Sequence, residues 1–269
     1  MRTTGLERGL TYAVLLAAAA FALYPMALIL VTAVQPDAIG AAAGVDLGNF
    51  ASAWRIGHFG DYLRTSAVVT VCVVLVSTLL ASLAGYAFGT MTFRGSTALF
   101  YLLLLGLMVP SEAIVVPLYY DLRSLDLLNS YVSLIFPQVA QSLAFGTFWM
   151  RAYFRSSSRE VVEAARIDGA GHLRVFWSVL LPMGRPALMT MMVLVFMWTW
   201  NEFLLPLVMI TDEGMRTAPL GLAFFKGQYT AGTSLLAAGS VLVALPVVVF
   251  YLFAQRHFIR GMVEGAVKG

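Results

Sequence analysis

With 269 residues, 60% of them hydrophobic and 12% charged, and a mean hydropathy of +0.83, the chain carries about half the charge of a water-soluble domain, for which about 25% is usual. This composition excludes an ordinary soluble domain and points to an integral membrane protein. The net charge of +3 does not make it a nucleic-acid binder, because the basic residues are scattered between apolar runs, and the single cysteine, Cys72, excludes an internal disulfide.

A bilayer span requires about 20 mostly apolar residues. Six stretches qualify: 10–34, 63–89, 97–119, 131–151, 186–210 and 234–254. The predicted fold is therefore all-α, with six transmembrane helices. The first run follows Arg2 and Arg8 but exceeds the 7–15 residue apolar core of a secretory signal. It is expected to be a retained anchor, although Ala41-Ala42-Ala43 imitates a cleavage site. Residues 35–62, with Pro36, Asp37, Gly40, Gly44, Asp46, Gly48 and Gly60, are too polar to span and too few for a domain; they form an external loop. Thr92-Phe93-Arg94-Gly95 makes a tight internal turn. Residues 121–130 and the longer stretch 211–233 read as external connections, the latter with Asp212, Glu213, Arg216, Pro219 and Lys226.

Six spans place both termini on one side. With the N-terminus inside, twelve basic residues fall on the inner face: Arg2, Arg8, Arg94, Arg151, Arg155, Arg159, Arg166, Arg174, Arg185, Arg256, Arg260 and Lys268. Five fall outside: Arg55, Arg64, Arg123, Arg216 and Lys226, completing the seventeen. Basic residues collect on the cytoplasmic face, so both termini are expected in the cytoplasm of a cell whose inner membrane the chain crosses repeatedly.

Two acidic residues lie within spans, where ionisable groups cost roughly 2.5–3.5 kcal/mol near the midplane. Glu112 stands between Pro110 and Pro117, and Glu202 follows Trp198, Trp200 and Asn201 and precedes Pro206. Prolines free backbone carbonyls, which are tolerated at depth only beside protein or a water-filled cavity. One reading places Glu112, Trp200, Asn201 and Glu202 on a polar translocation path suited to sugars. The other places both glutamates near the outer interface, capping kinked helices.

His58, His172 and His257 fit no metal-ligand spacing, and neither GxSxG nor a nucleotide-cradling GxxxxGK[ST] occurs. No catalytic set, metal or bound cofactor is expected, and energy from ATP would have to arrive through another subunit.

Residues 159–186 are unlike their apolar surroundings, with a concentration of charge, three glycines and two prolines. Residues 159–168 read as a short helix centred on Glu163-Ala164-Ala165. Gly169 stands where a helix ends in left-handed backbone angles, and a second helical piece, 172–181, is expected to stop at Pro182. Glu163-Ala164-Ala165-Arg166-Ile167-Asp168-Gly169-Ala170 followed by Leu181-Pro182 resembles the EAA loop of ABC-importer membrane subunits. Trp200-Asn201-Glu202-Phe203-Leu204-Leu205-Pro206-Leu207 and the C-terminal Gly261-Met262-Val263-Glu264-Gly265-Ala266-Val267-Lys268-Gly269 resemble the second permease of the maltose-type carbohydrate importers.

The resemblance implies a type I ABC-importer permease fold with a cytoplasmic coupling helix. It divides the chain into an anchor and external loop (1–62), a permease core (63–257, coupling loop 159–182) and a cytoplasmic tail (258–269). Glu163, Ala164, Ala165, Asp168, Gly169, Ala170, Leu181 and Pro182 would couple to the ATPase. The implied partners are a second homologous permease, two ATP-binding cassette subunits that hold the ATP, and an extracytoplasmic sugar-binding protein, which the 211–233 loop would face. The alternative is a stand-alone ion-coupled secondary transporter, which Glu112 and Glu202 favour but which the EAA loop and the absence of an internal repeat oppose.

Overall fold

The computed structural model describes residues 5–36, 44–157, 159–228 and 232–266, and every regular element among them is helical. In chain order these are α1 (Gly5–Ala33), α2 (Gly48–Ile56), α3 (Phe59–Thr90), α4 (Ser96–Met108), α5 (Ser111–Ser124), α6 (Tyr131–Ser156), α7 (Arg159–Ile167), α8 (His172–Arg174), a π-helical turn (Val175–Leu180), α9 (Leu181–Met183), α10 (Arg185–Trp200), α11 (Leu204–Met209), a 3₁₀ turn (Glu213–Met215), α12 (Ala218–Gln228) and α13 (Thr233–Ala266).

Among the described residues, three single helices are long and apolar enough to cross a membrane: Leu6–Ala33, Phe59–Thr90 and Thr233–Gln255. Two bent pairs raise the number to as many as five. The predicted third span is one of these pairs, turning through 96° between α4 and α5. Val109 is extended there (φ −84°, ψ 117°) because the ring of Pro110 crowds an α conformation in the residue before it. The other pair turns through 78° between the segment His172–Met183 and α10. The predicted fifth span, 186–210, is helical only to Trp200 and resumes as α11. Helix α6 has 26 residues, enough for about 39 Å, but Pro137, Gln138 and Gln141 make it less apolar than the other three.

Parts of the expected loops are helical. The 35–62 loop contains α2 and the start of α3, and the 211–233 connector is largely α12. The expected tail continues α13 as helix to Ala266, while Ala41-Ala42-Ala43 and residues 267–269 lie outside the described residues.

The chain separates into two units, Met1–Gly60 with Gly221–Pro246, and Asp61–Leu220 with Val247–Gly269. In the first, α1 exposes apolar side chains on every face, Leu6 and Phe21 among them, as a lipid-facing helix does. Its end is tied to α2 by buried Asn49, whose Nδ2 donates to the carbonyls of Ala33 (3.1 Å) and Gln35 (2.8 Å). Phe59 packs edge-to-face on Phe225 at 5.5 Å, and Gly239 clears room for it: a Cβ there would stand 2.9 Å from Phe59 Cζ.

The second unit is built on α3 and α6. Ala81, Gly85 and Gly89 recur every four residues along one ridge of α3, the spacing that lets membrane helices approach closely. A Cβ on Gly85 would lie 2.6 Å from Met150 Cβ, and one on Gly146 of α6 would lie 2.7 Å from Ala81 Cβ and 2.9 Å from Met191 Sδ. Val73, Ala81, Leu134, Met150, Phe154, Phe176, Leu180 and Met191 fill the core. Arg151 joins α4 to α6, its guanidinium 3.8 Å from the centre of the Phe100 ring and its Nε donating to the carbonyl of Phe88 at 3.3 Å.

Candidate functional site

Two features of the second unit draw on the residues singled out in the sequence. The first is the segment from α7 to α9. At the end of α7, Gly169 adopts φ +80°, the Ala170 N–H donates to the Ala165 carbonyl (2.9 Å), and the Gly169 N–H donates to the Arg166 carbonyl (3.0 Å). These paired bonds are the Schellman motif, which needs a residue that tolerates left-handed angles at the Gly169 position. Ala165 and Ala170 turn inward onto the core together with Val162 and Leu181. Glu163, Ala164, Arg166, Ile167 and Asp168 stay exposed; Ile167 is 86% exposed and Leu173, just past the turn, 71%. Among the described residues, neither Glu163 nor Asp168 forms an ion pair.

The second helical piece does not stop at Pro182. It runs to Met183 because Val175–Leu180 widens into a π-helical turn, with the Leu181 N–H donating to the carbonyl of Phe176 five residues back. The chain breaks at Gly184, where a Cβ would lie 2.6 Å from the Tyr153 ring. Buried Phe176 joins Tyr86 of α3 and Phe154 of α6 in one aromatic cluster, with centroids 5.2–6.0 Å apart. Tyr86 also donates its hydroxyl to the carbonyl of His172 (3.2 Å), and Trp149 Nε1 donates to the carbonyl of Ala187 (2.9 Å). An exposed knob thus stands on a base packed rigidly into α3 and α6.

The second feature is a pair of adjoining cavities, of about 180 and 250 Å³, that share Gln141 and Glu202. The first is walled mainly by apolar side chains, Ile114, Leu118, Pro137 and Leu205 among them; the second by Gln138, Ser142, Phe145, Trp198 and Thr199. Glu202 is half-buried and borders both cavities, and its Oε1 accepts the Leu205 N–H (3.0 Å), capping α11. Glu112 is exposed in the first turn of α5, where the helix dipole favours a carboxylate, and borders neither cavity. Asn201 is exposed and donates Nδ2 to the carbonyl of Met197 at 2.8 Å. Trp200 is only 4% exposed and stacks on Phe196 at 5.7 Å, inside the protein; the cavity takes Trp198 instead. Sequence reading passed over Gln138, Gln141, Ser142 and Phe145, although their i, i+3, i+4, i+7 spacing marks one face of α6.

The chain is thus an all-helical membrane protein with broken spans, two adjoining cavities and an exposed helical knob. The chain belongs to the family described as "Binding-protein-dependent transport system inner membrane component", which matches residues 81–263. It is 37% identical to the probable ABC transporter permease protein YurM of Bacillus subtilis (strain 168), over 82% of this chain and 73% of that one. It is 35% identical to the arabinooligosaccharides transport system permease protein AraQ of Halalkalibacterium halodurans, over 79% and 76%. The fold matches that of a bacterial ABC transporter involved in the import of the acidic polysaccharide alginate, with a TM-score of 0.79 at 24% identity over 96% of this chain and 99% of the other.

Proposed function

We propose that this permease is one half of the pathway of an ATP-driven carbohydrate importer, and that α7, the Gly169 turn and α8 receive the ATPase. The observation that carries this reading is the knob itself. It combines exposed apolar tips, Ile167 and Leu173, exposed charges that are not paired among the described residues, and a base locked to α3 and α6. A ligand-driven change requires an element that interacts differently with two states, and a rigid knob passes the closing of two ATPase subunits into the helices that hold it. The carbohydrate assignment draws support from AraQ, a relative whose name specifies arabinooligosaccharides.

In this reading the chain crosses the inner membrane six times, α6 and the bent pairs included, with both termini in the cytoplasm. A second permease, two ATPase subunits and an external binding protein complete the machine, and nucleotide binds to the ATPase subunits alone. The test is co-purification from membranes in mild detergent. The wild-type chain is expected to retain an ATPase, and Glu163→Lys, exposed on the knob, to insert normally but lose it. Solute uptake by the purified chain alone in vesicles would overturn the proposal in favour of ion-coupled transport.

A further inference from the structure

Resting on the carbohydrate reading above, we infer that the paired cavities between α5, α6, α10 and α11 form a subsite for a neutral sugar ring, with Trp198 as its platform and Gln138, Gln141 and Glu202 as its hydroxyl partners, and that this wall rejects uronic acids. Trp198 is half exposed, yet its ring is held: Phe145 meets it edge-on at 4.8 Å and 73°, and Phe145 itself stacks on Trp149, which is tied to the carbonyl of Ala187. An aromatic face held in place beside polar groups is what the C–H face of a pyranose requires.

The polar groups have capacity in reserve. Gln138 is 4% exposed and engages Nε2 with the carbonyl of Leu134 (2.9 Å), which leaves its Oε1 to accept. Glu202 engages Oε1 with Leu205 N–H, which leaves Oε2. The Gln141 amide, shared by both cavities, brings two donors and an acceptor. Together they supply both donors and acceptors, as sugar hydroxyls require, next to an apolar floor of Ile114, Leu118 and Leu205.

Charge narrows the ligand further. Among the described residues, Glu202 is the sole ionisable group on either wall, and neither Lys nor Arg lines the cavities. A carboxylate with no compensating cation repels another carboxylate, most strongly where water is scarce. The solved relative in fold imports an acidic polysaccharide; this wall has the opposite preference.

The experiment uses the assembled importer in nanodiscs, without its binding protein, carrying Ala140→Cys at the cavity wall on a Cys72→Ser background. The rate of modification by a neutral maleimide is measured against neutral trisaccharides of glucose and of arabinose and against a trigalacturonate. A neutral trisaccharide is expected to slow labelling about threefold once its concentration reaches about twice its Kd. Trigalacturonate leaves the rate unchanged, Trp198→Ala abolishes protection, Trp198→Phe retains it, and Glu202→Gln extends protection to the uronate. Uptake of the same sugars by the complete importer in proteoliposomes is measured in parallel. Transport of a neutral trisaccharide without protection, or protection that survives Trp198→Ala, or equal protection by the uronate, overturns the subsite while leaving the importer reading standing. Absence of saccharide transport altogether overturns the carbohydrate reading, and the subsite with it.

Discussion

Gly169 and Glu202 show how single residues set local geometry in this protein. Gly169 has open space around it, and a Cβ there would touch nothing within 4 Å. Its constraint is the backbone angle, φ +80°, which costs an L-residue about 1–2 kcal/mol. Gly169→Val is therefore expected to insert in the membrane at wild-type level while uptake falls by about tenfold, the equivalent of ~1.4 kcal/mol of lost coupling; Gly169→Asn, which tolerates left-handed angles, retains most of it. Immunoblots of membrane fractions set against uptake separate the two quantities. Glu202→Ala leaves the Leu205 N–H without its acceptor and is expected to cost about 1 kcal/mol, seen as a lower thermal midpoint in detergent, whereas Glu202→Gln keeps an oxygen in place. The left-handed role of Gly169 was legible in the sequence because a helix end is written in consecutive residues. The burial of Trp200 and exposure of Trp198 were not, because two positions along a helix differ by 200° of rotation, and only packing fixes which one faces the core.

Among the elements, α3 and α6 carry the site, and their contact depends on small residues. Gly85→Leu would drive a side chain into Met150 Cβ and the Arg151 backbone, which are too rigid to yield. Overpacking of this kind costs typically about 1–3 kcal/mol, and the variant is expected to lose thermal stability and to aggregate on size-exclusion chromatography. Gly106 of α4 is the contrast: nothing lies within 4 Å of its missing Cβ, so Gly106→Ala is expected to stabilise the purified chain by about 0.5–1 kcal/mol. Other element-level expectations changed in the structure. Pro182 does not end its helix, because the π-helical turn upstream supplies an i to i−5 bond and shifts the break to Gly184. The third span divides at Pro110, since a proline restricts the residue before it as well as its own backbone.

For the molecule as a whole, the asymmetry of basic residues is the strongest statement about orientation. Twelve of the seventeen fall on one face when six spans are counted with the N-terminus inside, and cytoplasmic loops carry such an excess. A green fluorescent protein fused after Gly269 is expected to fluoresce, and alkaline phosphatase inserted at residue 214 to be active; the reverse pair of results would refute the proposed topology. The connection in which that insertion falls is pinned from the α5–α6 turn, where Asn129 Oδ1 accepts the N–H groups of Thr211 (2.6 Å) and Asp212 (2.9 Å).

The sequence by itself determined that this is a helical membrane protein, where its apolar runs lie, and that a charged, glycine-ended helical segment interrupts them between residues 159 and 186. Those properties are local: hydropathy summed over about 20 residues, proline geometry and a left-handed cap are all read from neighbours in the chain. Tertiary structure decided which side of each helix faces inward, and with it the aromatic base under the knob and the cavity pair shared by Gln141 and Glu202. Apolar helices in lipid have little hydrophobic difference between their faces, so their rotation is set by small-residue contacts and a few long-range hydrogen bonds between segments far apart in the chain.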